Sequence, residues 1–511
     1  MIEGKTGVFE TSPSIKPGTG QLVSPSTRLA PVASLPYHIE PIPLSWDPLR
    51  LVRAAGAGGA LLDSGPGYGA FGRFSFFGCE PFLTVSARGA SVRIVGEHRR
   101  QLMSGNPVEI LSRLIREQTL PVDAPASHAS HLPFRTGAAI GFLSYELGRF
   151  MEPFARRSKE EPGLPDLQFF FFDALLAHDH SMNQTWAIVR NQPEAGKRLQ
   201  STLDRIKRAG LEGSRLHSSR QPSSETWTSS LTYEDYSAAV TKAQRYITDG
   251  EIYQVNLSQQ LWCRCSMTAP QLYRELRQTG ASPFGAYLQG KGWAVLSLSP
   301  ERFLRYWPGQ RRIQTRPIKG TRPRGASSEE DQELRQSLLQ SPKDAAEHVM
   351  IVDLERNDLG RLARYGTVRV SDFRRLETFP TVHHLTSTVE ATLRPNCSLE
   401  DLLQATFPGG SITGTPKVRA MQVIDELEPR SRGLYTGSIG YLAFDGNLDL
   451  NIAIRTLVLR DGWARYSTGG AIVADSRAED EYLETLHKAR PFLRALDLGE
   501  PSRHGLKTPV R

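Results

Sequence analysis

From Pro36 to about Ile206, short apolar runs alternate with turn residues. Examples are Ala60-Leu-Leu-Asp63, Phe82-Leu-Thr-Val-Ser86, Ala139-Ile-Gly-Phe-Leu143 and Leu167-Gln-Phe-Phe-Phe-Phe172. Runs of this kind, bounded by turn signals, predict strands of a largely antiparallel sheet. The pattern changes at Thr232, after which Tyr236, Ala239, Val240, Ala243 and Ile247 recur at helical spacing. Thr232 and Asp235 have the spacing of a capping box, and Gly250 supplies the stop. A strand from Ile252 to Leu261 follows. Further strands are expected over 293–298, 301–306, 312–319, 437–444, 449–459 and 464–473, with helices over 343–357, 415–427 and 479–496. Helices and strands do not alternate as βαβ units, so the expected class is α+β with antiparallel sheets.

Composition divides the chain further. Residues 1–34 are rich in Ser, Pro, Thr and Gly without periodicity and are expected to be a disordered tail. A β-rich domain is expected over 35–211, a linker over 212–230 (EGSRLHSSRQPSSETWTSS), a second domain over 231–497, and a frayed tail over 498–511. No apolar run approaches the roughly 18 residues of a membrane helix. The first residues lack a basic start followed by an apolar stretch, so a cytoplasmic protein is expected rather than a secreted or membrane one. The four cysteines (Cys79, Cys263, Cys265, Cys397) include no CxxC pair, which argues against a zinc ribbon or a disulfide framework. The net charge is +8, but the basic residues are scattered. A small anionic substrate accommodates that balance as well as nucleic acid does, and a solvated surface with excess arginine accommodates it better than either. Gly67-Tyr-Gly-Ala-Phe-Gly72 is formally GxGxxG, but strand-like sequence follows where a dinucleotide site needs a helix, so a turn is expected.

The chemistry concentrates between 250 and 490, where ten motifs follow in order: GEIYQVNLSQ (250–259), SLSPERF (297–303), RPIKGTRPRG (316–325), SPKDAAEHVMIVDLERNDLGR (341–361), HHLTSTV (383–389), FPGGSITGTPKVRAM (407–421), YTGSIGY (435–441), NIAIRT (451–456), GGAIVADS (469–476) and EYLETLHKA (481–489). Together they resemble the chorismate-utilising enzymes, the family of anthranilate, aminodeoxychorismate, isochorismate and salicylate synthases. LLDS (61–64), FGRF (71–74) and IGFLSYE (140–146) extend the resemblance more loosely into the first half. The fold this implies is a sandwich of antiparallel sheets with helices on the outside.

The resemblance assigns roles residue by residue. Glu347 and Glu484 fall on the two metal-ligand motifs, and carboxylates from two helices suit Mg²⁺; Asp344 is a further candidate. Arg455, Lys488, Gly320, Thr321, Tyr435 and the Gly469-Gly470-Ala471 run fall on contacts to the chorismate carboxylates and ring. An arginine suits two-pronged carboxylate binding. Glu301 matches the general acid/base and His384 the active-site histidine. Members that activate water use a lysine where this chain has Gln254, and glutamine cannot act as a base. Ammonia-using members have glutamine there. The branch that forms anthranilate reads PIAGT, whereas this chain has Lys319 in PIKGT, the form found where a lysine attacks C2 first. Ammonia must then enter at C4, giving 4-amino-4-deoxychorismate for 4-aminobenzoate and folate; the anthranilate-forming branch is the alternative. Arg316, Arg322, Arg324 and the metal would depress the lysine pKa, as would partial burial. None of the cysteines sits in the Gly-flanked elbow of a glutaminase, so ammonia is expected from a partner glutaminase subunit. Ser64, Phe71, Gly72, Arg73, Phe74, Pro283, Phe284 and Gly285 resemble the pocket that holds tryptophan in related chains.

Overall fold

Strand pairing in the computed structural model is antiparallel throughout and builds two sheets. The structure describes residues 36–498 except 66, 120–130, 154–162, 213–226, 281 and 380–381. The tail expected over 1–34, most of the 212–230 linker and residues 499–511 lie outside the described residues.

One sheet runs in the order Tyr37–Ile42, Gln184–Arg190, Ala174–Asp179, Phe74–Gly78, Gly59–Asp63, Phe284–Gly290, Trp293–Ser299, Thr456–Arg460, Trp463–Ile472, Gln254–Arg264, Thr228–Ser229. The other begins at Ile318–Pro323 and Val382–Thr392, continues through Arg312–Arg316, Arg302–Trp307, Leu448–Asn451 and Ser438–Ala443, and ends in five strands from the first half of the chain. Alternation sorts the side chains of the first sheet. Leu61, Phe77, Leu176, Tyr287 and Leu296 face one way, toward Pro48–Ala55, Pro193–Glu212, Ala269–Gln278 and Ala478–Ala495. Ala60, Phe76, Leu175, Leu288 and Val295 face the other, into a core shared with Ile140, Phe142, Phe169 and Tyr441 of the second sheet. A large side chain buried in this way contributes about 1.5–3 kcal/mol, so a one-residue slip would be costly and the register is specified. The expected α+β sandwich with outer helices is what forms.

The expected division into domains at 212–230 does not separate two cores. Gly59–Asp63 pairs with Phe284–Gly290, and Ala138–Leu143 pairs with Ser438–Ala443, so strands from both sides of the boundary interleave in both sheets. From Pro36 onward the chain is one unit. A Ser-rich, polar stretch reports exposure to solvent, and exposure does not say where a hydrophobic core ends.

Most expected elements form near their predicted bounds. The helix Tyr233–Thr248 has its capping box, with Thr232 Oγ1 accepting from Asp235 N and Asp235 accepting from Thr232 N. Helices Pro342–Gly360, Lys417–Leu427 and Ala478–Ala495 form as well. The GxGxxG stretch is a short 3₁₀ turn, Gly69–Gly72, leading into the strand Phe74–Gly78. No helix among the described residues is long and apolar enough to cross a membrane.

Two expected strands break, and both breaks shape the site. The 449–459 strand splits into Leu448–Asn451 in one sheet and Thr456–Arg460 in the other, and the chain crosses between them with Arg455 at φ 48°. The 312–319 strand ends at Arg316, because Pro317 has no N–H to donate, and resumes at Ile318–Pro323 with a bulge between Ile318 and Thr321. Gly320 sits in that bulge at φ 85°, and a Cβ there would lie 2.8 Å from Leu338 Cδ1. Glycine is the residue that takes this conformation without a steric penalty.

Candidate active site

The crossover and the bulge bring the chemistry-bearing residues together. Glu301 precedes the strand Arg302–Trp307 and is 4% exposed. Its Oε1 accepts from Ser411 Oγ at 2.7 Å and Ile318 N at 3.4 Å. Burial pushes its pKa up to about 7, against the opposing pull of Ser411, Lys319, Ile318 and Arg455. A carboxyl poised there both gives and takes a proton near neutral pH.

Lys319 approaches the same place from the bulged strand, with Nζ 4.0 Å from Glu347 Oε2. Burial lowers its pKa, Lys488 assists, and Glu347, Glu301 and Glu484 oppose. Of the expected causes, burial is the one that acts, and the three arginines are not among the influences on the amine. Arg322 is paired with Asp344 at 3.0 Å, Arg324 with Asp331 at 2.7 Å, and Arg316 with Glu377 at 2.7 Å. Arginines neutralised by carboxylates leave desolvation as the dominant influence on the amine.

Glu347 lies on the helix Pro342–Gly360, and burial raises its pKa. Glu484 lies on Ala478–Ala495, with Oε1 2.7 Å from Lys488 Nζ one turn later. Burial raises the Glu484 carboxyl, but Lys488 holds it below the usual value. Glu481, which the sequence had not singled out, joins them: it accepts from Lys343 Nζ at 3.1 Å and Ser476 Oγ at 2.8 Å. Its spacing of three from Glu484, on one helix face, was the available signal. Among the described residues no three His, Cys, Asp or Glu side chains converge as a preformed metal centre. The donors nonetheless suit a hard divalent cation, being carboxylate oxygens whose charge Lys319, Lys343 and Lys488 balance here. Asp344, also considered as a ligand, is engaged by Arg322.

The remaining residues frame this cluster. Gly469, Gly470 and Ala471 pair with Ser258, Leu257 and Asn256. Beyond Tyr466 the strand has no ladder partner on its other edge in the described sheet, and Lys488 Nζ donates to Gly469 O at 2.8 Å. A Cβ at Gly470 would lie 3.1 Å from Glu481 Oε2. Thr321 Oγ1 is 2.8 Å from His384 Nδ1. Burial, then Arg455 and His383, bring the His384 pKa down to about 3, so at neutral pH it is an uncharged hydrogen-bonding group without a spare proton. Burial also lowers the Arg455 pKa, which Tyr466, Tyr68 and Glu301 offset. Tyr435 adjoins Arg432 and Tyr466, and burial raises its pKa.

Tyr68, from the stretch expected to be a plain turn, reaches this site: it neighbours Arg455 and packs on Phe379 with ring centroids 4.8 Å apart. Phe379 in turn faces His384. Ser411 lies within the FPGGSITGTPKVRAM motif and Tyr68 within the GxGxxG stretch, but neither was singled out, because each reaches the site from a turn remote along the chain. Gln254 is fully buried, and neither of its amide atoms has a hydrogen-bond partner among the described residues.

Six of the eight residues expected in the second pocket, Ser64, Phe71, Phe74, Pro283, Phe284 and Gly285, line one cavity of about 310 Å³. Gly72 and Arg73 do not line it. Arg73 turns away to pair with Asp179 at 2.7 Å, and Gly72 packs under the Gly65 carbonyl. Asp63 accepts from Tyr273 Oη and Arg277 Nε, both at 2.7 Å. All four cysteines are thiols outside any disulfide, and burial raises the pKa of Cys79 and Cys397.

Comparison with known proteins agrees with this geometry. Residues 79–494 match the family described as chorismate binding enzyme. The chain is 39% identical over 438 residues to aminodeoxychorismate synthase component 1 of Escherichia coli (strain K12), covering 86% of this chain and 93% of that protein. It is 37% identical over 451 residues to anthranilate synthase component 1 of Acetivibrio thermocellus, covering 86% and 90%. The crystal structure of anthranilate synthase component I from Streptococcus pneumoniae superposes with a TM-score of 0.68 at 31% identity, over 84% of this chain and 93% of that one.

Proposed function

This chain belongs to the chorismate binding enzyme family, and we propose that it acts as the large subunit of an aminodeoxychorismate synthase, converting chorismate and ammonia to 4-amino-4-deoxychorismate. One observation carries the reading: Lys319 and Glu301 are both buried and close enough for each to act on the other's charge, with burial lowering the amine pKa and raising that of the carboxyl to about 7. The neutral Lys319 amine attacks C2 of the ring. The C2–N bond forms, the double bond shifts, and the C4–O bond breaks as Glu301 protonates the leaving hydroxyl to water. The attached ammonium returns a proton to the Glu301 carboxylate. Ammonia then bonds to C4, the double bond shifts back, the C2–N bond to Lys319 breaks, and proton transfer through Glu301 restores the free amine. The net change is chorismate plus ammonia to the 4-amino product plus water.

Arg455, with its planar guanidinium, is suited to a substrate carboxylate. Glu347 and Glu484, with Glu481 alongside, would hold Mg²⁺, which when bound supplies positive charge facing the second carboxylate. His384 and Thr321 orient the ring as an uncharged hydrogen-bonded pair. The orphaned amide of Gln254 is compatible with ammonia but supplies no base for water. Ammonia comes from a partner glutaminase, a reading supported by raised rather than lowered thiol pKa values at Cys79 and Cys397. Cysteines outside any disulfide fit a cytoplasmic site of action.

The test is incubation with chorismate, Mg²⁺ and ammonium, with the product identified by mass and by its response to a separate lyase that forms 4-aminobenzoate. A 4-amino-4-deoxychorismate product is expected; fluorescent anthranilate with pyruvate would overturn the assignment.

A further inference from the structure

The bulge between Ile318 and Thr321 inserts one extra residue opposite Val382–Thr392 and leaves Lys319 out of the ladder. A carbonyl withdrawn from water needs a donor. His348 meets that need, with Nδ1 3.4 Å from Lys319 O. A carbonyl only accepts, so Nδ1 carries the ring proton and Nε2 is the acceptor. Nε2 lies 2.6 Å from Ser387 Oγ, whose hydroxyl therefore donates to the ring. Ser387 Oγ in turn accepts from Arg374 N at 3.0 Å.

Arg374 belongs to a second bulge, between Ser371 and Arg375, on a strand that also pairs with Val382–Thr392. Asp372 and Arg374 there have φ of 50° and 51°. Three hydrogen bonds thus run in one direction, Arg374 to Ser387 to His348 to Lys319, joining two bulges across one strand. His348 and Ser387 are both fully buried, so water does not compete for these hydrogen bonds.

We propose that His348 and Ser387 are positioning residues for Lys319: they hold the peptide at the bulge and so aim the lysine amine at the substrate ring. The inference rests on the reading of Lys319 as nucleophile. Neither residue touches the reacting atoms, so their loss acts on the placement of the amine, and a misplacement of about 1 Å costs on the order of 10²-fold in rate.

The test mixes each purified protein with chorismate and Mg²⁺ without ammonia, quenches over time and follows the lysine adduct by intact mass. His348→Phe and Ser387→Ala are expected to form it about 10²-fold more slowly. Chorismate KM should stay within about twofold while kcat with ammonium falls in parallel, as expected when only near-attack geometry is lost. Ser387→Thr, which keeps the hydroxyl, is expected to recover most of the rate. Should Ser387→Ala fail to fold, His348→Asn, which retains a donor for the Lys319 carbonyl but releases Ser387, gives the same readout. Adduct formation at the wild-type rate in folded His348→Phe and His348→Asn would overturn the positioning role and leave the nucleophile standing. No adduct in the wild type, with Lys319→Ala still making product, would overturn both.

Discussion

Nζ of Lys319 lies 4.0 Å from Oε2 of Glu347, so the candidate nucleophile and a candidate cation ligand share one contact. The carboxylate favours the charged amine and burial favours the neutral one; burial prevails. The lysine is therefore a group whose charge is contested locally, as nucleophilic amines commonly are.

Replacing Lys319 by alanine removes the group that directs ammonia to C4. Formation of 4-amino-4-deoxychorismate is expected to disappear from mass spectra of the reaction, with any residual turnover giving a C2-substituted product. Unchanged product and rate would remove the nucleophile from the mechanism.

Glu301 makes two opposed predictions. As the proton donor and acceptor, its loss in Glu301→Gln is expected to lower kcat by about 10²–10⁴-fold. It is also expected to erase an inflection near pH 7 in the kcat/KM profile. For stability the sign is reversed. The folded pKa is raised from 4.5 to about 7, so the folded protein holds the proton more tightly, and stability present below pH 4.5 is lost as pH rises through 7. At pH 8 Glu301→Gln is expected to be more stable in chemical denaturation, by up to about 3 kcal/mol. A variant less stable at pH 8 would contradict the burial argument.

The buried histidines act in the opposite pH range. His178, His348 and His384 have folded pKa values of about 4, 4 and 3, depressed by burial from 6.5. Their contribution is present above pH 6.5 and lost as pH falls through 4, because the unfolded chain binds protons that the folded one refuses. Thermal melting temperature is expected to drop between pH 6.5 and 4, and the drop should shrink in His178→Gln, which is remote from the site.

Glu347→Gln and Glu484→Gln each remove one oxygen ligand charge. Both are expected to raise the Mg²⁺ concentration needed for half-maximal turnover and to weaken Mg²⁺ binding measured calorimetrically with chorismate present. Identical Mg²⁺ dependence in either variant would exclude that residue as a ligand.

Glu428 and Arg432 form a buried ion pair at 2.8 Å, and Arg432 also donates to Ile412 O, Asn256 O and Thr436 Oγ1. Breaking it with Arg432→Met leaves a carboxylate without its partner, at a cost of about 3–5 kcal/mol in urea denaturation. A change below about 1 kcal/mol would show that water restores the network.

Some of this was written into the order of residues. The capping box at Thr232, the apolar run Ala60-Leu-Leu-Asp63 and the helical spacing of Tyr236, Ala239, Val240, Ala243 and Ile247 are local regularities, and local regularities survive in a one-dimensional string because they involve residues only a few positions apart. The PIKGT and SPERF motifs likewise single out Lys319 and Glu301 as candidates. What the string withheld was long-range: that the stretch 449–459 changes sheets and turns Arg455 inward, that Asp344 engages Arg322, that Arg73 leaves its cavity for Asp179, and that Tyr68 and Ser411 reach residues distant along the chain, Arg455 and Glu301. Which arginine is neutralised, which carboxyl is dried out and which carbonyl needs a distant histidine are set by packing between segments, and burial, the cause behind most of the shifted acidities here, comes into being only when those segments close on one another.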